Sequence, residues 1–168
     1  MKNFLAVLFI VFYSSVIAQE RVTITDPDLE FSYILPKDWC YKDDPLYHYI
    51  APENCDSDGI LPISITYFNY SCPDIEVCLD GKVNGELKSE LDDFELAEKG
   101  VDTIDGTESR WAIFTYTKGN ETVKEAIYIF IRLGQMFEVR WRFPVGTFEL
   151  YQAETRALIE SFEVKPKD

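Results

Sequence analysis

The chain is poor in histidine, in basic residues and in long apolar runs. Its one histidine, His48, sits in the aromatic stretch YHYI, where a half-buried strand residue explains it better than a general base does. A serine hydrolase needs histidine beside a serine presented at an elbow, and there is no G-x-S-x-G. No glycine-rich phosphate loop occurs either. Zinc sites want paired C-x-x-C spacing and histidine, whereas the four cysteines are separated by 14, 16 and 5 residues. We therefore expect no catalytic residue, no metal and no cofactor.

Basic residues number 16 against 30 acidic ones, a formal charge of −14. Nucleic-acid binding rests on neutralising phosphates with Lys and Arg, so that partner class is excluded. Anionic membrane surfaces are excluded on the same ground. A basic protein or a cation stays open, beside plain solubility. The one long apolar stretch is at the start, MKNFLAVLFIVFYSSVIA. Lys2, a core of eight apolar residues and the small pair Val16-x-Ala18 have the form of a secretory signal peptide. That core is shorter than the roughly 20 residues a span needs. Cleavage after Ala18 is expected, with residues 19–168 as a single secreted or periplasmic domain and no later membrane span.

In an oxidising compartment Cys40, Cys55, Cys72 and Cys78 default to two disulfides. Three connectivities can be drawn. Cys40–Cys55 with Cys72–Cys78 is preferred, because each closes a local segment. PENCDSDGILP, around Cys55, carries Asn54, Asp56, Asp58 and Gly59 in the order of half a calcium loop. Such a loop needs a carboxylate first and a bidentate Glu twelfth; Asn54 and Ile65 occupy those places. A stapled turn is the preferred reading and calcium the alternative.

Periodicity gives strands at residues 29–36, 47–51 and 62–70, with Asp44-Pro45 as a turn. Ile75, Leu79, Val83, Leu87 and Leu91 then recur every four residues. They mark an amphipathic helix within 74–92, opened by a capping box at Ser71 to Asp74. Gly81 and Gly85 weaken its middle, so a start near Lys82 is expected. Short strands follow at 94–99 and 101–105, turning at Gly100 and Gly106, then longer ones at 109–117, 122–133 and 136–144. AIYIFI is apolar on both faces, which places it deep in a sheet covered on both sides. Phe148, Tyr151, Thr155, Leu158 and Phe162 form the stripe of a last helix, and EVKPKD reads as a polar tail. The order is α+β: an antiparallel β-sheet covered by helices.

FSYILPKDW, ELKSELDDFEL, VDTIDGTESRWAIFTYTKGN, IYIFIRLGQMFEVRWRF and LIESF together resemble the PsbP-like superfamily from about Phe31 to Phe162. This is an α/β/α sandwich shared by the photosystem II subunit PsbP, bacterial DcrB-like proteins and a eukaryotic Ran-binding family. The resemblance implies an accessory or binding protein and not an enzyme. A photosynthetic role transfers poorly, because no transit peptide is present, and secretion excludes a Ran-binding role. The cysteines and the NCDSDG insertion depart from the family pattern.

Two surfaces suit a partner. Arg140 and Arg142, with Glu138, alternate along one face of a strand. They fit either cross-strand pairing with a neighbour's acids or recognition of an acidic ligand. Tyr41, Tyr47, Tyr49, Tyr67 and Tyr70 form the other, a tyrosine-rich front. The sequons at Asn69 and Asn120 matter only in a eukaryotic host, and the signal segment has a bacterial look. The reading is a secreted or periplasmic accessory protein that binds another protein, a basic one being the best match. The alternative is a small hydrolase or carbohydrate-binding protein using the acidic, tyrosine-rich face.

Overall fold

Three tight turns build the centre of the molecule. The structure is a computed structural model describing residues 21–25, 29–43, 48–52, 55, 62–68 and 72–166. The expected signal segment lies outside these, as do Asn54, Asp56, Asp58, Tyr47, Asn69 and Tyr70. Strand β6 (Asp92–Ile104) turns into β7 (Thr107–Lys118) at Asp105 and Gly106, with φ of 47° and 69°. β8 (Glu121–Arg132) turns into β9 (Gln135–Pro144) at Leu133 and Gly134, with φ of 51° and 78°. Two successive positive φ values match the right-handed twist of the flanking strands. Gly119, at φ 63°, opens the β7–β8 turn.

β3 (Trp39–Asp43), β4 (His48–Pro52) and β5 (Ile63–Phe68) extend this meander past β9. The result is a seven-stranded antiparallel sheet in the order β3-β4-β5-β9-β8-β7-β6. A second sheet pairs β1 (Arg21–Thr25) and β10 (Glu163–Pro166) with β2 (Leu29–Ile34). Helix α3 (Val145–Glu160) buries Phe148, Leu158 and Ile159. Together with Phe31 and Val164 of the small sheet, they pack on Ile65, Phe130, Phe137 and Trp141 of the large one. The other face of the large sheet meets α1 (Ile75–Asp80), which runs through a π-helical stretch, Gly81–Leu87, into α2 (Lys88–Glu90). Leu79, Val83 and Leu87 pack there on Phe114, Ile127 and Ile129.

Several expectations are corrected. The first helix begins at Ile75, where Asp74 accepts hydrogen bonds from the Glu76 and Val77 amides at 2.9 and 3.3 Å, and not near Lys82. Its glycines are absorbed in the widened turn. The reason lies in the stripe: four residues overshoot an α-turn by about 40°, so a strict four-residue repeat drifts around an ideal helix. A wider π-turn undershoots and returns the stripe to the sheet. The two short strands expected at 94–99 and 101–105 are one strand, Asp92–Ile104, with Gly100 inside it. EVKP is strand β10 with Val164 buried, not tail. Strands β1 and β3 were not expected at all.

Candidate functional site

The register of β8 and β9 sets Glu125 opposite Arg142, with Arg140 two residues away on the same face. Glu125 is fully buried. Arg140 Nε donates to Glu125 Oε1, Arg142 Nε lies 3.6 Å from Oε2, and Tyr116 Oη donates to Oε2 at 3.1 Å. A buried carboxylate is tolerated when its charge and lone pairs are met in this way. Burial acts to lower the Arg140 pKa, but Glu125 and Glu138 outweigh it and hold the group above its ordinary value. The Tyr116 hydroxyl is pushed up to about 12, first by burial and then by Glu125. The arginine row thus makes the cross-strand pairs that were one of its two readings. Arg142 is the less committed of the two. Its Nε has no hydrogen bond, and its Nη2 reaches Ser64 Oγ at 3.4 Å.

The tyrosines do not share one surface. Register and alternation put Tyr41 and Tyr67 on the α3 side of the sheet and Tyr49, opposite Ser64, on the α1 side. Tyr67, partly buried, packs against Phe31 and Phe137 of the core. His48 is 3% exposed, with its ring edge-on to Phe31 at 5.2 Å. Two-residue alternation splits what looked like a cluster in sequence.

Disulfides join Cys40 to Cys55 and Cys72 to Cys78. The first ties residue 55 to β3; the second spans the start of α1. No three metal-ligating side chains gather among the described residues. Nor is any helix there long and apolar enough to cross a membrane.

Two clefts flank the large sheet on opposite sides. The first, about 690 Å³, runs between α3 and the turn from β2 to β3. Ile34, Trp39 and Leu158 line its floor, Ala153 and Ala157 its helical wall, and Lys37, Glu154 and Glu160 its rim. Leu150, at 68% exposed, continues the Ala153–Ala157 stripe one turn earlier on α3. The second, about 410 Å³, lies between the π-turn and β8–β9. Phe68, Val77, Ile129 and Met136 supply apolar walls, and Glu138, Lys82 and Glu86 supply charge. The sequence signalled neither cleft. Both arise where elements distant along the chain fail to meet.

No protein-family model matches the chain, and no curated protein matches it in sequence. Solved structures match it in shape. LpqN of Mycobacterium tuberculosis, described as involved in cell envelope biogenesis, superposes with a TM-score of 0.64 at 14% identity. That match covers 88% of this chain and 91% of LpqN. The cyanobacterial PsbP (CyanoP) of Synechocystis gives 0.57 at 12%, covering 90% and 96%. A Pseudomonas aeruginosa protein of unknown function, PA94, described as a putative regulator, gives 0.52 at 7%, covering 88% and 85%. At these identities the likeness is one of architecture, and it agrees with the antiparallel sheets and packed helices described above: the fold is PsbP-like.

Proposed function

We propose that this chain is a secreted or periplasmic accessory protein that binds another protein through the groove beside α3. The carrying observation is the exposed apolar stripe of Leu150, Ala153 and Ala157 leading into a cleft floored by Trp39 and Leu158. Small residues at helical spacing let a partner's backbone approach closely, and Trp39 supplies an aromatic anchor of the kind interfaces favour. The chain's charge of −14 favours a basic partner, and on the rim Glu154 and Glu160 stand beside one lining cation, Lys37. Two disulfides suit an oxidising compartment. A neighbour in fold described by its role in envelope biogenesis fits the same setting.

The hydrolase or carbohydrate alternative asks for two desolvated carboxylates facing each other. Glu154 and Glu160 are exposed, and the second cleft pairs a buried Glu138 with a half-exposed Glu86. Neither arrangement favours it. In this reading Arg140 and Arg142 hold the sheet face together around Glu125, and neither meets a ligand.

A photo-crosslinking side chain placed at Ala157 tests the proposal in the exporting cell, with Glu90, on the far side of the sheet, as control. We expect a discrete adduct from position 157 alone, weakened by salt and by Leu150→Asp. Equal labelling from both positions overturns the assignment.

A further inference from the structure

The small sheet has one closed edge and one open one. Ile34 of β2 turns its amide away from β1 and donates to Ser161 Oγ at 2.7 Å. Successive residues of a strand point their backbone groups to opposite sides, so Tyr33 faces β1 and bonds with Val22 across from it. Arg21, Thr23 and Thr25 therefore direct N–H and C=O outward. Among the described residues, no strand pairs with them there. On the far side, the same alternation directs Val164 and Pro166 of β10 outward. Val164 donates its amide to Asp105 Oδ2 at 3.1 Å, and proline has no amide to offer. That edge is closed.

β1 has no such protection. Its register with β2 runs unbroken, and RVTIT contains neither proline nor lysine. Its single charge is turned away from the edge. Arg21 Nη1 reaches back across β2, 3.0 Å from Ser32 Oγ and 3.4 Å from Glu163 Oε2. A regular edge strand with unpaired backbone groups is a template for another extended chain. The edge also begins where the α3 groove ends, because Ile34, opposite Arg21, lines that groove.

We propose that an extended segment of the partner adds to β1 as an antiparallel strand, continuing the small sheet. This rests on the α3 reading for which partner arrives, and on the edge alone for how it binds. The segment alternates in character. Its residue opposite Val22, which is 4% exposed against the core, is apolar. Its residues opposite Arg21 and Thr23, on the outer face, are basic. Glu30 lies on that face opposite Thr25, with no ion pair among the described residues. The chain's −14 attracts such a segment and repels a second copy.

The test is titration of the purified, oxidised protein with acetyl-KVKVKVK-amide, read by amide hydrogen exchange at Val22 and Thr23. We expect the peptide to slow Thr23 at least ten-fold, while Val22, already bonded to β2, is slow throughout. In this pairing the lysine amides face β1 and the valine amides face away. N-methylation of the central lysines should therefore cost at least ten-fold in affinity, and N-methylation of the valines almost nothing. Thr23→Pro, which removes an outward donor and no bond to β2, should weaken binding as the lysine methylation does. Equal binding of the two methylated peptides, unchanged affinity in folded Thr23→Pro, or comparable binding of acetyl-EVEVEVE-amide overturns the proposal. So does slowing at Thr23 that follows protein concentration alone, which assigns the edge to a second copy. A failed titration with a surviving adduct at Ala157 ends the edge assignment alone; a lost adduct with intact peptide binding ends the groove alone.

Discussion

Gly100 lies directly beneath the indole of Trp111, its cross-strand partner. A Cβ at position 100 would collide with Trp111 Cζ2 and sit 2.6 Å from Cε2. Trp111 in turn stacks on Tyr128 at 6.2 Å between centroids.

Gly100→Ala should therefore reverse the usual sign. Alanine ordinarily stabilises a strand interior relative to glycine by roughly 0.5–1 kcal/mol. Here the ring must move, and overpacking of this kind costs about 1–3 kcal/mol. A lower urea midpoint together with altered tryptophan fluorescence is the expected outcome. An unchanged or higher midpoint would show that the indole yields freely.

Removing Glu125 should harm the fold more than removing either arginine alone. Glu125→Leu leaves Arg140 and Arg142 buried against each other, a loss on the order of 3–5 kcal/mol. Arg140→Met should cost more than Arg142→Met, because Arg140 donates a hydrogen bond from Nε and Arg142 Nε donates none. Denaturant unfolding of the three variants ranks them.

Alkaline pH should destabilise the chain through two tyrosines. Tyr116 and Tyr128 are both pushed up to about 12 from an ordinary 10.0, burial being the first cause in each. Above pH 10 the unfolded chain has lost these protons and the folded chain keeps them. Stability is thus intact below about 10 and falls as pH rises towards 12. Absorbance at 295 nm should show Tyr116 and Tyr128 among the phenols that resist ionisation at pH 11, and Tyr116→Phe should lower the resistant count by one.

Of the two disulfides, Cys40–Cys55 should matter more for stability. It closes a separation of 15 residues against 6 for Cys72–Cys78. Loop-closure entropy gives about 3 and about 2 kcal/mol. Paired serine variants compared by thermal unfolding check the order, and a thiol dye on the denatured wild-type chain should find no free sulfhydryl.

The meander from β7 to β9 was readable because its strands are long, alternate cleanly and end in Gly-containing turns. Strands β1, β3 and β10 were not, since RVTIT, WCYKD and EVKP are short and polar. They are strands because β2 and β4 offer them hydrogen bonds, which no local pattern records. Gly100 was misread because glycine inside a strand and glycine at a turn look alike until the partner strand is known. The alternation of Glu138, Arg140 and Arg142 was visible, but Glu125 as their hub depends on register. The clefts depend on how far helices stand from the sheet, and sequence carries no trace of that.

The long strand β6 forms one outer margin of the large sheet, and its pairing slips twice, between Asp92 and Glu95 and between Leu96 and Glu98. Those slips break its outward row of amides and carbonyls into pieces, and Glu95, Glu98, Lys99 and Asp102 set charges along it. A margin interrupted and charged in this way is a poor template for a neighbouring chain. Along this margin, copies of the protein can be crowded together without zipping into ribbons.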